Sequence, residues 1–170
     1  MTDTMTPRQR HACMAAIRGK DTKPEMVVRR YLHALGYRYG LHNRRLPGTP
    51  DIVLRKLKTV IFINGCFWHG HPGCRYYRLP STNPDYWQNK IEANHERDAR
   101  AIQELNRMKW NVIVIWECEL KTGEAREKRL ARLARTLGDM AAGRYRYYHY
   151  PDAETETLAA EPDAGYGYEE

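Results

Sequence analysis

Asn64-Gly65-Cys66-Phe67-Trp68-His69-Gly70-His71-Pro72-Gly73-Cys74 packs two thiols, two imidazoles and two large aromatics into eleven residues. Thiolate and imidazole together select zinc among the common divalent cations. With the distant Cys118, the set Cys66, His71, Cys74 and Cys118 makes a closed four-ligand structural zinc site. Residues 69 and 71 face opposite ways in an extended segment, so one histidine serves zinc while the other points elsewhere. Free thiols and surface histidines are the bland alternative. Such an irregular loop, however, needs something to pin it to the sheet.

Upstream, Leu46-Pro47-Gly48-Thr49-Pro50-Asp51-Ile52-Val53-Leu54 is a tight turn that delivers one carboxylate to the head of an apolar strand. That is a typical place for a hard-metal ligand, although Asp51 could merely close the turn. Glu25 lies in the first turn of a helix and is equally well explained as a capping-box residue. A hairpin from Asp51–Leu54 to Thr59–Ile63 raises both above these readings, because it brings Asp51 beside Ile63 or Asn64. Phe67 and Trp68 could pack inward, but two adjacent large aromatics in one irregular loop do not easily both do so. They suit a wedge better. The combination points to a metal-dependent phosphodiesterase with a structural zinc.

These side chains need elements to hold them. Thr6-Pro7-Arg8-Gln9 is a capping box that opens a helix over 6–18, with Cys13, Met14 and Ile17 near one face. Asp21-Thr22-Lys23-Pro24-Glu25 starts a second helix with Val27, Val28, Tyr31, Leu32 and Leu35 at helical spacing, and Gly36 stops it. Strands are expected over 37–41, 51–54 and 59–63, with Lys56-Leu57-Lys58 as the hairpin connection. Thr59–Ile63 and Val112–Trp116 are continuously apolar, as strands buried on both faces are. Cys66–Asn83 is an irregular excursion, and Asn83-Pro84-Asp85 caps a long helix to about Met108. A basic helix over 124–137 carries Leu130, Leu133 and Leu137. This order predicts an α/β fold with a mixed central sheet flanked by helices.

The 170 residues fit one domain over 1–150, followed by an acidic tail over 151–170 that is expected to be disordered. Formal net charge is +7, but the tail contributes seven acidic residues and no Lys or Arg. Without it, 28 basic residues face 14 acidic ones, a body charge of +14. Such a body attracts a polyanion, nucleic acid being the usual one. The tail is a candidate competitor for that basic cleft. No apolar run is long enough to span a bilayer and the start is no signal peptide, so a cytoplasmic protein is expected. Of four cysteines, Cys13 stands apart and reads as a small buried apolar residue.

Pro50-Asp51, the hairpin after it and the Gly65-Cys66-Phe67-Trp68-His69 run resemble the very short patch repair endonucleases, bacterial mismatch nickases with a restriction-endonuclease-like core. The likeness extends from about Thr6 to Leu120. It includes Met14, Asp21-Thr22, Leu46-Pro47-Gly48, Val60-Ile61-Phe62, Asn94 with Glu96-Arg97-Asp98, and Val114-Ile115-Trp116-Glu117-Cys118. The resemblance implies nicking 5′ to the thymine of a T·G mismatch, which arises from deaminated 5-methylcytosine. Asp51 and the backbone carbonyl of Ile63 are implied to bind catalytic magnesium, and His69 to act as general base. Glu25 and Asp98 line the same site, with Asn64 beside it. Cys66, His71, Cys74 and Cys118 match the zinc ligands. Phe67, Trp68 and Trp87 match the aromatic wedge, Met14 the residue inserted from the other groove, and Lys90 and Asn94 contacts to the mismatched pair. A monomer that cooperates with a repair polymerase and mismatch-repair proteins, associated with the nucleoid when acting, is implied as well.

Two departures stand out. Members of that family typically carry histidine where this chain has Asn64, and an amide cannot shuttle a proton. The zinc loop is also one residue longer, through Pro72-Gly73. The competing expectations are a mismatch-binding module that has lost efficient chemistry, and a restriction-type or structure-selective nuclease on the same fold. Asp51 and His69 speak against the first, and Phe67, Trp68 and Met14 against the second.

Overall fold

A computed structural model of the chain describes Thr6, Arg8, Gln9 and residues 19–144. Among these residues the elements are α1 (Lys23–Ala34), β1 (Gly40–Leu41), β2 (Ile52–Leu54), β3 (Thr59–Asn64), α2 (Pro84–Arg107), β4 (Asn111–Trp116) and α3 (Gly123–Ala141). Short 3₁₀ turns follow β2 at Arg55–Leu57 and β4 at Glu117–Leu120. None of these helices is long and apolar enough to cross a membrane.

The sheet order is β1-β2-β3-β4; the first three strands pair antiparallel, and β3 pairs parallel with β4. The expected mixed sheet between helices is therefore present. Side chains alternate across it, as the pleat requires. Ile52, Leu54, Ile61, Ile113 and Ile115 face one core with Val28 and Leu32 of α1 and Leu130, Leu133 and Leu137 of α3. Val53, Val60, Val112 and Val114 face the other with Leu105 and Ile102 of α2. The continuous apolar runs of β3 and β4 follow from having helices on both faces.

Local chemistry explains the helix ends. Thr22 and Glu25 form a reciprocal capping box at the start of α1, with a proline in its first turn. At its end Gly36, at φ +83°, closes a Schellman motif in which Gly36 donates to His33 O and Tyr37 to Leu32 O. Thr6 and Gln9 make the expected reciprocal bonds, Thr6 N to Gln9 Oε1 at 2.9 Å and Gln9 N to Thr6 Oγ1 at 3.3 Å. The rest of the 6–18 helix, including Cys13 and Met14, lies outside the described residues, as does the tail over 151–170.

Two expectations are corrected and one is refined. The strand over 37–41 shrinks to Gly40–Leu41, because the helix stop occupies Gly36 and Tyr37 and Tyr39 turns its hydroxyl to Arg29 O at 2.9 Å. The expected hairpin connection at Lys56-Leu57-Lys58 is present, in the form of a 3₁₀ turn that closes through Lys58 at φ +47°. Asn83 does not cap α2 with its side chain: it sits at φ +54°, with no cap bond.

Candidate active site

Parallel pairing of β3 with β4 sets the geometry of the site. Their register runs from Thr59↔Asn111 to Asn64↔Trp116, so the two strands end side by side. Cys66 and Cys118 each lie two residues beyond those partners. Crevices beyond the carboxyl ends of parallel strands are where open α/β sheets bind ligands. Here they hold both the thiols and a cleft of about 710 Å³.

Asp51 stands at the mouth of β2, delivered by a turn that closes through Thr49 N to Leu46 O at 3.1 Å. The turn needs glycine at position 48. Its φ is +69°, and a Cβ would lie 2.8 Å from Ala101 Cβ of α2. Asp51 Oδ2 accepts the Ile63 N–H at 2.7 Å, so the predicted proximity of Asp51 and Ile63 is present. Its side chain is 19% exposed. Burial pushes its carboxyl up to about 6, against the Ile63 N–H, which lowers it; the nearby charge of Glu25 adds to the rise.

Glu25 keeps both readings offered by the sequence. It completes the capping box, and it is buried at the cleft wall. Its Oε2 pairs with Arg29 at 2.9 Å. Across the cleft, His69 Nδ1 is paired with Asp98 Oδ2 on α2. Arg97 approaches the same carboxylate at 3.6 Å. Asn64, at the end of β3, lines the cleft between them.

The loop that carries His69 is fixed against α2. Gly70 has φ +55°, and a Cβ there would lie 2.6 Å from Ile91 Cγ2. Asn94, buried on α2, donates its amide to Trp68 O at 2.8 Å. In this conformation Asn94 therefore supports the aromatic loop. Lys90 is exposed on the same helix. Phe67, Trp68 and Trp87 form one edge-to-face cluster with centroids 5.1, 5.3 and 6.1 Å apart. Tyr86, 60% exposed, extends it at 5.3 Å from Trp87.

Cys66, His71, Cys74 and Cys118 come together with donor atoms all within 4.8 Å of one another. His71 Nδ1 lies 3.6 Å from Cys66 Sγ and 3.4 Å from Cys118 Sγ. Its ring stacks on Trp116 at 4.0 Å and 2°. Burial pushes the Cys66 thiol up. It pushes Cys118 up to about 12, with the neighbouring thiols adding to the rise. A crowded set in which Cys66 and Cys118 resist ionisation suits a soft divalent cation, which would compensate their charge. Glu119 secures the turn that bears Cys118. It accepts Trp116 N–H at 2.7 Å and pairs with Arg129 at 3.0 Å, while Arg129 also donates to Val114 O at 3.0 Å.

Sequence reasoning missed Arg29, His42 and Tyr86. Arg29 is buried and its Nη2 lies 2.8 Å from His42 Nε2. His42 Nδ1 in turn lies 3.8 Å from Asp51 Oδ1. A signal existed for Arg29, which stands four residues after Glu25 on one helix face. A lone histidine between a short strand and a turn carries no such signal.

The family model for DNA mismatch endonuclease Vsr matches residues 2–75. The type II nicking enzyme V.XorIIP of Xanthomonas oryzae pv. oryzae is 49% identical over 133 residues, 78% of this chain and 97% of that protein. The type II nicking enzyme V.NmeAIP of Neisseria meningitidis is 47% identical over 139 residues, 82% of this chain and 99% of that one. DNA mismatch endonuclease Vsr of Escherichia coli is 37% identical over 135 residues, 76% of this chain and 86% of that one. The chain belongs to the Vsr family of DNA mismatch endonucleases.

Proposed function

We propose that this protein nicks one strand of duplex DNA 5′ to the thymine of a T·G mismatch by magnesium-dependent phosphodiester hydrolysis, leaving 5′-phosphate and 3′-hydroxyl ends. The observation that carries the reading is the convergence, in one cleft at the end of β3, of Asp51, Asn64 and the His69–Asp98 pair, with the aromatic cluster on the adjoining loop.

The oxygen donors suit a hard cation. Asp51 is half-buried; desolvation, with the nearby charge of Glu25 adding to it, raises its carboxyl to about 6, and a bound divalent ion would offset both. A residue in an extended strand presents its N–H and C=O to the same edge. The Ile63 N–H bonded to Asp51 therefore supports Ile63 O as a second ligand. Magnesium, when bound, neutralises charge on the phosphate and lowers the pKa of a bound water. His69 has the geometry of a general base. Asp98 engages Nδ1, which orients the ring and leaves Nε2 to take a proton from the attacking water. Asn64 hydrogen-bonds that water but moves no proton. Glu25 lines the site.

Zinc is the structural ion that we assign to Cys66, His71, Cys74 and Cys118; when bound it ties the loop over 66–74 to the end of β4. Phe67, Trp68 and Trp87 enter the duplex beside the mismatch. Unstacking costs a few kcal/mol per step and least at a mismatch, which by itself favours damaged sites. Met14 inserts from the other groove, and Lys90 and Asn94 contact the mismatched pair. One restriction-endonuclease-like domain over 1–150 carries these parts and acts as a monomer upstream of a repair polymerase.

The test is strand nicking of a duplex with one T·G pair, in magnesium and in EDTA, with Asp51→Ala in parallel. Magnesium-dependent nicking that Asp51→Ala abolishes is the expected result. Tight mismatch binding without nicking would overturn the catalytic reading in favour of a recognition module.

A further inference from the structure

Arg29 and His42 have no part in the reaction as described, yet both are drawn into its centre. Arg29 is 6% exposed, and its guanidinium pairs with Asp21, with Glu25 Oε2 at 2.9 Å and with His42 Nε2 at 2.8 Å. Asp21, Glu25 and His42 place donor atoms within 4.8 Å of one another, the spacing of a metal site, but the guanidinium already fills that centre. A guanidinium donates and never accepts. His42 Nε2 must therefore offer its lone pair, and a neutral ring then carries its hydrogen on Nδ1.

Sheet register decides where that hydrogen points. Gly40 pairs with Val53 and Leu41 with Ile52, so the next pair is His42 with Asp51. The His42 N–H closes this rung on Asp51 O at 3.4 Å. Directly opposed residues project to the same face, and His42 Nδ1 accordingly lies 3.8 Å from Asp51 Oδ1. A small rotation of either side chain brings the two into hydrogen-bonding range. The other carboxylate oxygen is already fixed by Ile63 N at 2.7 Å. His42 adopts φ +44°, a left-handed conformation that a non-glycine residue holds at some cost.

We infer that His42 is a positioning residue for Asp51: Arg29 holds the imidazole as its Nδ1–H tautomer, and that N–H, facing Oδ1, fixes the rotation of the carboxylate in the cleft. The inference rests on Asp51 being the acidic residue of the nicking site. The glutamine side chain reproduces both halves of the arrangement, an oxygen to accept from Arg29 and an N–H to offer Asp51, whereas leucine reproduces neither.

The experiment compares His42→Gln, His42→Leu and Asp51→Asn by single-turnover nicking of a T·G duplex and by affinity for that duplex in EDTA. The ¹⁵N resonances of His42 in the metal-free wild type read its tautomer directly. We expect His42→Leu to slow nicking by about 10–100-fold with affinity unchanged within about twofold, His42→Gln to stay within about threefold of wild type, and the Nδ1–H tautomer to be observed. A wild-type rate in His42→Leu alongside an inactive Asp51→Asn overturns the role of His42 alone, and so does an Nε2–H tautomer. Wild-type nicking by Asp51→Asn overturns the Asp51 reading beneath it. The tautomer needs no variant, so it decides the matter even where His42→Leu fails to fold.

Discussion

Replacing Asp51 with asparagine should abolish nicking and stabilise the metal-free protein. The carboxyl is raised from 3.8 to about 6, mainly by burial. One pKa unit is worth about 1.4 kcal/mol, so the ionised form costs the metal-free fold about 3 kcal/mol. Asparagine keeps the shape and an oxygen for the Ile63 N–H, now 2.7 Å away, but carries no charge. That net shift already includes the Ile63 hydrogen bond to the ionised form, so the variant, which resembles the neutral acid, should gain up to about 3 kcal/mol. The sign follows from the two protonation states. Below pH 3.8 aspartate is protonated folded or unfolded, and the charge contributes nothing. Between 3.8 and about 6 the unfolded chain ionises while the folded one keeps its proton, so wild-type stability falls relative to the variant. Above about 6 the difference is constant. Urea denaturation in EDTA at a series of pH values from 4 to 8 measures it. A variant that is less stable at pH 8, or a difference that does not change with pH, would refute the electrostatic account. Adding magnesium should then raise the stability of the wild type and leave that of the variant unchanged.

Four further outcomes are expected. Cys118→Ser should lose bound zinc, read by elemental analysis, and about 4 kcal/mol or more of stability by denaturation. Gly48→Ala should cost about 2–4 kcal/mol, since φ is +69° and the new Cβ meets Ala101 Cβ at 2.8 Å and the Phe62 ring at 3.1 Å; adding Ala101→Gly should relieve only the Ala101 contact and leave the Phe62 contact and the backbone strain. Asn64→His should raise the single-turnover nicking rate, and an unchanged or lower rate would count against proton transfer at that position. Deleting the residues after Pro151 should tighten binding to undamaged duplex at low salt, measured by fluorescence anisotropy; no change would remove the idea that the tail competes with DNA.

Much of this arrangement is legible along the chain because it is local. Thr22 and Glu25 cap their helix within four residues, and the Pro-Gly turn that delivers Asp51 can be read from residue types. The apolar runs of β3 and β4 announce strands buried on both faces. Pairing Cys118 with the loop thiols needed one long-range guess, which the register Asn64↔Trp116 now explains. What escaped was set by tertiary pairing. His42 gains its place only because Leu41↔Ile52 fixes the next rung, and no spacing in the sequence states that register. Asn83 looked like a cap by residue type, but its left-handed backbone leaves no side-chain bond to the helix. The bond from the Asn94 amide to Trp68 O was equally out of reach, because it depends on how the loop packs onto α2.

The central claim is that the cleft and its aromatic cluster act on a mismatch and not merely on DNA. The most direct measurement is single-turnover nicking in magnesium of two duplexes that differ only in one T·G or T·A pair, with each strand separately labelled. The account predicts cleavage of the T strand alone, immediately 5′ to the mismatched thymine, and far faster on T·G than on T·A. Equal rates on the two duplexes, or cuts in both strands, would contradict it and identify a restriction-type nuclease on the same fold.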